Sequence, residues 1–272
     1  MLPISPCMLI NGKYGQQIAA DDRGLLYGDG VFTTIAVRAG QPQYLSQHLA
    51  RLQHDSQRLG IPLPDAEILS QEALELCANK HQVVLKIIIT RGSGGRGYRS
   101  PEPANTSRIL SLHPWPEYPS NYTEQGVRVR LCKLRLGHNL QLAGIKHLNR
   151  LEQVLARSEW NEPEIAEGLL LDEHGHLIEA TMSNVFLLQS GRLLTPTLDK
   201  CGVAGIMRAR VLELARQLNI PCMETELGLE DVARSEAMFL CNSIIGIWPV
   251  RQFDQQAFII DPLIHRLQQA IG

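Results

Sequence analysis

The chain has 272 residues, 44% of them hydrophobic and 20% charged, and its 26 basic and 28 acidic residues leave a formal net charge of -2 at pH 7. That balance offers no electrostatic hold on nucleic acid or an anionic membrane surface, and the length allows two modest globular domains, each with its own core. Six cysteines (Cys7, Cys77, Cys132, Cys201, Cys222 and Cys241) form no C-x-x-C pair, so they read as reduced thiols of a cytoplasmic protein, not as disulfide or zinc residues. The start, Met1 to Ile10, holds Pro3 and Pro6, lacks a basic region and has too short an apolar run for a signal peptide, and no window is long enough to span a membrane.

Met8 to Gln17 has the pattern of two strands turned at Asn11-Gly12, and a loop follows at Asp21 to Gly24. Gly28-Asp29-Gly30 then leads into the β-branched run from Val31 to Val37, which predicts a strand carrying Thr33 and Thr34. Leu45, Leu49, Leu52 and Leu59 share one helical stripe, with Ser46 as the expected N-cap and Gly60 as the stop. His48 and Arg51 lie on that helix. A second helix is expected over Asp65 to Asn79, and the apolar run Val83 to Thr90 reads as a buried strand.

The strand runs into Arg91-Gly-Ser-Gly-Gly-Arg96-Gly-Tyr98, which lacks the G-K-[ST] of a phosphate-binding P-loop. A flexible loop carrying Arg96 can receive a carboxylate by a bidentate contact, or it can be a mobile surface loop with a solvated arginine. After a strand at Ile109 to Leu112, three prolines (Pro114, Pro116 and Pro119) break all regular structure. They divide the chain into a smaller N-terminal domain over 1–114, a linker over 115–120 and a larger C-terminal domain over 121–272.

In the second half, a strand over Val127 to Leu134 precedes Lys146, and Leu148, Leu151 and Leu155, with Val154 beside them, have the spacing of a helix that buries one face. A lysine partly enclosed before such a helix loses its proton more readily, the condition a Schiff-base lysine needs, although a lone lysine in such a place is usually a solvated surface charge. Gly168 to Leu171, Leu177 to Thr181 and Ser183 to Leu188 read as successive hairpin strands. Glu179 falls within them, and if buried it requires a partner. Gly202-x-x-Gly205 opens a helix with Val211, Leu214, Ala215 and Leu218 as its buried stripe, and such a helix start can bind phosphate. A short strand from Ala237 to Cys241 stops at Asn242-Ser243, either a simple turn or a further anion contact, before a strand at Ile244 to Val250 and a terminal helix around Leu263 to Ile271.

Taken in order, Gly28-Asp29-Gly30-Val31-Phe32, His48 with Arg51-Leu52, Thr90-Arg91-Gly92, Ile145-Lys146-x-x-Asn149, Glu179-x-x-x-Ser183-Asn184-x-Phe186 and Gly202-x-x-Gly205-Ile206-x-Arg208 resemble the fold-type IV pyridoxal phosphate enzymes over nearly the whole chain. That family includes branched-chain and D-amino acid aminotransferases and aminodeoxychorismate lyases. Within it, Arg91 to Tyr98 and Leu142 to Val154 are most similar to the bacterial lyases.

The resemblance implies a two-domain α/β (α+β) fold with a barrel-like sheet in the larger domain, pyridoxal 5'-phosphate between the domains, and a homodimer in which a partner loop closes each site. It implies that Lys146 holds the cofactor and then acts as proton-transfer base, that Glu179 faces the pyridine nitrogen, and that Arg51, the N–H groups of Ile206 and Met207, and Ser243 beside Asn242 receive the phosphate. Thr34 matches the residue that would give or relay a proton to the leaving group, and Arg96 and Tyr98 fall where substrate carboxylates are recognised. The implied reaction releases pyruvate and 4-aminobenzoate, in folate biosynthesis, from a small-molecule substrate. An aminotransferase on the same scaffold, and a cofactor-free binding protein that kept the fold, are the other readings.

Overall fold

The computed structural model describes residues 8–271, so Cys7 and most of the Met1 to Ile10 segment lie outside the described residues. The chain divides into two compact units, Met1–Glu117 with Lys146–Asn149, and Tyr118–Ile145 with Arg150–Gly272. Among the described residues no helix is long and apolar enough to cross a membrane.

The first unit contains β1 (Met8–Ile10), β2 (Lys13–Tyr14), α1 (Arg23–Tyr27), β3 (Gly30–Arg38), β4 (Gln41–Pro42), α2 (Leu45–Leu59), α3 (Ala66–Cys77), β5 (Gln82–Thr90) and β6 (Ser107–Pro114). Its strands form one antiparallel sheet in the order β2-β1-β6-β5-β3-β4. Asn11 and Gly12 both take positive φ, as a tight hairpin between β1 and β2 demands. Strand alternation puts Val31, Thr33, Ile35 and Val37 on the same face as their partners Ile89, Ile87, Leu85 and Val83. This face is the apolar one, and Leu49 and Leu52 of α2 and Leu69, Ala73 and Leu76 of α3 are buried with it. The opposite face carries Phe32, Thr34, Lys86 and Ser111.

The helix α2 does not start as the sequence suggests. Tyr44, with φ of 54°, precedes Leu45, while Ser46 lies inside the first turn and donates its hydroxyl to Gln47 Oε1 at 2.8 Å. With its hydroxyl spent on a neighbouring side chain, Ser46 caps nothing. The expected stop is present: Gly60 has φ of 62° and donates its amide to the Gln57 carbonyl, while the Ile61 amide donates to that of Ser56.

The second unit contains α4 (Tyr122–Gln125), β7 (Val127–Leu136), α5 (Leu151–Arg157), β8 (Ile165–Asp172), β9 (Leu177–Ala180), β10 (Asn184–Gln189), β11 (Arg192–Pro196), α6 (Ile206–Gln217), β12 (Cys222–Thr225), α7 (Leu229–Arg234), β13 (Ala237–Asn242), β14 (Gly246–Phe253), β15 (Gln256–Ala257) and α8 (Pro262–Ile271). Its sheet runs β12-β11-β10-β13-β14-β7-β8-β9, with β15 attached to β14, and the β11–β12, β14–β7 and β7–β8 pairs are parallel. Buried side chains from β7 to β11, β13 and β14 meet in one cluster, among them Val129, Leu169, Leu177, Val185, Leu240 and Val250. The sheet therefore curls around its own core. On its other side Phe186 and Phe239 stack at 4.9 Å.

Two sequence expectations for this unit are corrected. β10 pairs with β11 and β13 and not with β9, so the run of hairpins is broken after β9. The helix α5 begins only at Leu151, and Leu151, Val154 and Leu155 are 67%, 57% and 54% exposed. Its buried residue is Ala156, which packs with Trp160, Leu170 and Ile178, so the apolar stripe faces outward.

Candidate active site

In the first unit, the lysine singled out by the sequence is fixed by its backbone before its side chain acts. The Phe32 amide donates to the Lys146 carbonyl at 3.0 Å and the Leu148 amide to the Gly30 carbonyl at 2.9 Å, which makes a short antiparallel bridge onto β3 at Val31 and His147. The Lys146 amide donates to Asp55 Oδ2 on α2 at 3.0 Å. Asn149 then donates to the Gly28 carbonyl at 3.2 Å, and a Cβ at Gly28 would overlap that same amide side chain. The spacing Lys146-x-x-Asn149 and the glycine at 28 are thus one device, which sets the backbone on either side of the lysine. The Lys146 ammonium lies 4.7 Å from the centroid of the Phe32 ring.

Asp55 is 1% exposed, and burial, opposed by the Lys146 amide and by Arg51, raises its carboxyl above the ordinary range. On the turn of α2 before it, Arg51 donates from Nη2 to Thr33 Oγ1 at 2.7 Å. Burial draws Arg51 down to about 10, which leaves it a cation at neutral pH. Thr33 Oγ1 also lies 2.6 Å from His48 Nδ1. Burial first, then the charges of Arg51 and Lys146, push the His48 imidazole down to about 3, so it is neutral. Thr33 therefore points into α2, whereas Thr34 lies on the Phe32 face of β3.

Two other motifs serve structure. Asp29 Oδ2 accepts from Arg23 Nε and Arg91 Nε, both at 2.8 Å, and Arg91 also donates to the carbonyls of Gly60 and Leu59. Burial raises the Asp29 carboxyl, but the two arginines outweigh it and hold it below the usual value. Thr90-Arg91-Gly92 is accordingly a brace for the Gly28-Asp29-Gly30 turn. The loop beyond it is tied through its backbone, since Arg23 donates to the carbonyls of Gly97 at 3.0 Å and Tyr98 at 3.1 Å. The Arg96 and Tyr98 side chains stand exposed, with the Tyr98 ring edge-on to Tyr27 at 5.5 Å.

In the second unit Glu179 is 3% exposed in the middle of β9. Its Oε2 accepts the Val203 amide at 2.9 Å and its Oε1 the Gln153 amide at 3.3 Å. Arg150 is held below its ordinary value by burial, with Glu179 and Glu152 opposing. Gly202, at φ of 84°, passes so close that a Cβ would press on Ile178 and Leu198, and one at Gly205 would overlap Asn184 Oδ1. Asn184 in turn donates to the Val203 carbonyl at 2.9 Å. These contacts aim the start of α6, whose first amides at Ile206 and Met207 have no carbonyl one turn back. Asn242 spends its side chain on its own turn, accepting the Ile244 and Ile245 amides and donating to the Met182 carbonyl and Ser183 Oγ.

Asp55 and Thr33 are the residues that sequence reasoning passed over, and Asn184 entered it only as part of a motif. Asp55 had a usable signal, because His48, Arg51, Leu52 and Asp55 recur at the three-and-four spacing of one helix face. Thr33 had none beyond its strand.

The first unit offers an amine beside an aromatic ring and a buried arginine, and the second a buried carboxylate and a glycine-opened helix start, an inventory of the kind that suits the carbonyl, phosphate and ring nitrogen of pyridoxal phosphate. Together with an antiparallel sheet in one unit and a curled mixed sheet in the other, it defines a fold-type IV enzyme. The chain belongs to the amino-transferase class IV family, whose model matches residues 30–253. Aminodeoxychorismate lyase of Vibrio harveyi is 34% identical over 263 residues, covering 95% of this chain and 97% of the relative. The crystal structure of 4-amino-4-deoxychorismate lyase from Pseudomonas aeruginosa is 46% identical, with a TM-score of 0.94 and 97% of each chain covered. Branched-chain amino acid aminotransferase of Escherichia coli is 25% identical, with a TM-score of 0.86 and coverage of 97% of this chain and 92% of that one.

Proposed function

We propose that this protein is a pyridoxal phosphate-dependent aminodeoxychorismate lyase, which converts 4-amino-4-deoxychorismate to 4-aminobenzoate and pyruvate. The observation that carries the reading is the backbone clamp on Lys146, formed by Asp55 and β3, in a chain similar over 97% of its length to a lyase of known structure. When bound, pyridoxal phosphate supplies an electron sink for negative charge on the substrate carbon that bears the amine.

Lys146 would hold the cofactor through its amine, and the same amine is the base that would take the proton from that carbon. The Glu179 carboxylate, fixed by the Val203 amide, would face the ring nitrogen and favour its protonated form. Arg51 and the amides of Ile206 and Met207 would hold the phosphate, with the Ser243 hydroxyl as a further donor on the turn that Asn242 builds. Loss of the proton is followed by cleavage of the enolpyruvyl ether bond. The leaving enolpyruvate takes up a proton given or relayed by the Thr34 hydroxyl, and the ring becomes aromatic. Arg96 and Tyr98 bind a substrate carboxylate, which their exposure on a backbone-tied loop permits.

Homodimer formation belongs to the same reading. The exposed Leu151, Val154 and Leu155 form an apolar helix face of the kind a second copy covers. The five described cysteines are free thiols, which suits a reducing cytoplasmic compartment.

The test is direct. The protein is mixed with enzymatically prepared aminodeoxychorismate and 4-aminobenzoate is followed by fluorescence. Product formation that disappears in Lys146→Ala supports the lyase. No product, together with robust transamination of D-alanine or a branched-chain amino acid, establishes the aminotransferase instead. A protein that takes up no cofactor and shows no absorbance band that borohydride removes overturns both.

A further inference from the structure

Away from these residues, the second unit gathers three histidines around one buried carboxylate. Asp172 ends β8 and is 1% exposed. Its Oδ1 accepts the amides of His174 at 2.9 Å and His176 at 2.8 Å, which folds the turn into β9. Its Oδ2 accepts from His138 Nε2 at 2.8 Å and His176 Nδ1 at 3.1 Å.

An ionised carboxylate only accepts hydrogen bonds, so the Nε2 of His138 carries its proton and Nδ1 is left as the ring atom with a lone pair. That Nδ1 lies 3.8 Å from Glu173 Oε1, and the His138 and His174 rings are 4.9 Å apart. One ligand atom from each of His138, Glu173 and His174 falls within 4.8 Å of the other two. A histidine whose far nitrogen is bonded to a carboxylate is the arrangement in which imidazole binds metal, because the carboxylate fixes the tautomer and raises the basicity of the free nitrogen.

We propose that His138, Glu173 and His174 form a binding site for a single zinc ion, made of residues that take no part in the lyase chemistry. Two imidazoles and one carboxylate suit a borderline divalent cation and not magnesium or calcium, which take oxygen ligands. Zinc holds nitrogen and oxygen ligands at about 2.0 to 2.2 Å, so the donor atoms of a tetrahedral site are roughly 3.4 Å apart. Rotation of the exposed Glu173 and His174 side chains closes the spacing seen here, while His138 is held in place by Asp172. Three protein ligands leave the fourth position to solvent.

The ion would tie the turn between β8 and β9 to the segment that follows β7, where the Asn139 amide is already bonded to the Lys200 carbonyl at 2.8 Å. Both ends of this tie bear on Glu179: β9 carries it, and the segment after Lys200 supplies its Val203 partner. Zinc would therefore stabilise the second unit by mass action on the folded state.

The test uses the full-length, cofactor-loaded protein without a histidine tag, stripped with a chelator and titrated with zinc chloride by calorimetry while the melting temperature is recorded. One equivalent is expected to bind and to raise the melting temperature. Glu173→Gln and His174→Ala, both at exposed positions, should each weaken binding about tenfold or more while the metal-free melting temperature stays near that of the wild type. The exposed control His81→Ala should leave it unchanged. No binding, binding unaltered by Glu173→Gln and His174→Ala, or equal stabilisation by magnesium chloride overturns the proposal.

Discussion

The ammonium of Lys146 and the ring of Phe32 face each other at 4.7 Å, although they are 114 positions apart in sequence. Their backbones meet as well, through the Phe32 amide and the Lys146 carbonyl. The Phe32 ring therefore orients the side chain of a residue whose main chain the Phe32 amide already holds. A cation over a Phe face is worth on the order of 0.5 to 2 kcal/mol, depending on its exposure.

Replacing Lys146 by Ala removes the amine and leaves the amide-to-Asp55 bond in place. The variant should melt within a few degrees of the wild type, lack the absorbance band that borohydride removes, and form no 4-aminobenzoate. Phe32→Leu keeps the amine but removes its ring partner, so turnover is expected to fall by about twofold to thirtyfold with the chromophore retained, the span equivalent to that interaction energy. Steady-state assay beside an absorbance spectrum separates the two effects.

Thr33 connects Arg51 to His48 and offers a second test. Thr33→Val preserves the shape of β3 but takes away the acceptor for Arg51 Nη2 and the partner of His48 Nδ1. A hydrogen bond to a charged group contributes about 1.5 to 3 kcal/mol, so cofactor affinity should drop roughly tenfold to a hundredfold. Thr33→Ser restores the oxygen and should bind nearly as well as the wild type. Fluorescence titration of the apoprotein with pyridoxal phosphate reads the difference, and equal affinities for the Val and Ser variants would remove Thr33 from the phosphate site.

His48 makes stability depend on pH. Its imidazole is held at about 3 in the folded protein against an ordinary value of 6.5. Between those values the unfolded chain binds a proton that the folded one refuses, so stability rises with pH across the window and is lost on acidification through it. A drop from pH 7 to pH 5 should cost about 2 kcal/mol through this residue alone. His48→Gln has no such proton, and its urea midpoint should change correspondingly less between the two pH values.

Much of this arrangement is legible in the chain itself. The Asn11-Gly12 turn, the stop at Gly60, the buried strand at Val83 to Thr90 and the glycine-led start of α6 follow from residue types whose backbone preferences are strong and local. The outward stripe on α5 is not, because periodicity reports that a face is apolar and not what covers it. Nor does the sequence reveal that four residues, Lys146 to Asn149, group with the first unit while both flanks belong to the second. That depends on an amide reaching Asp55 across 91 positions, and no local pattern encodes such a contact. The roles of Arg91 and Asp29 are hidden for a similar reason: one opens a glycine-rich loop and the other sits in a glycine turn 62 positions away, and only the pairing of the two side chains exposes them as braces.

Gly205 supplies the last test, since it is demanded by space and not by a left-handed backbone: its φ is -71°, which any residue adopts. What excludes a side chain is Asn184, whose Oδ1 occupies the position of the missing Cβ while its Nδ2 is committed to the Val203 carbonyl. Gly205→Ala must therefore either displace Asn184, breaking a buried hydrogen bond, or shift the first turn of α6. Overpacking of this kind costs about 1 to 3 kcal/mol. The same shift moves the amides of Ile206 and Met207 and the Val203 amide that fixes Glu179. The variant should accordingly show a lower melting temperature and a weakened hold on pyridoxal phosphate together. Asn184→Ala combined with Gly205→Ala opens the space and should recover part of the affinity, whereas additive losses in the double variant would show that the glycine answers to something other than Asn184.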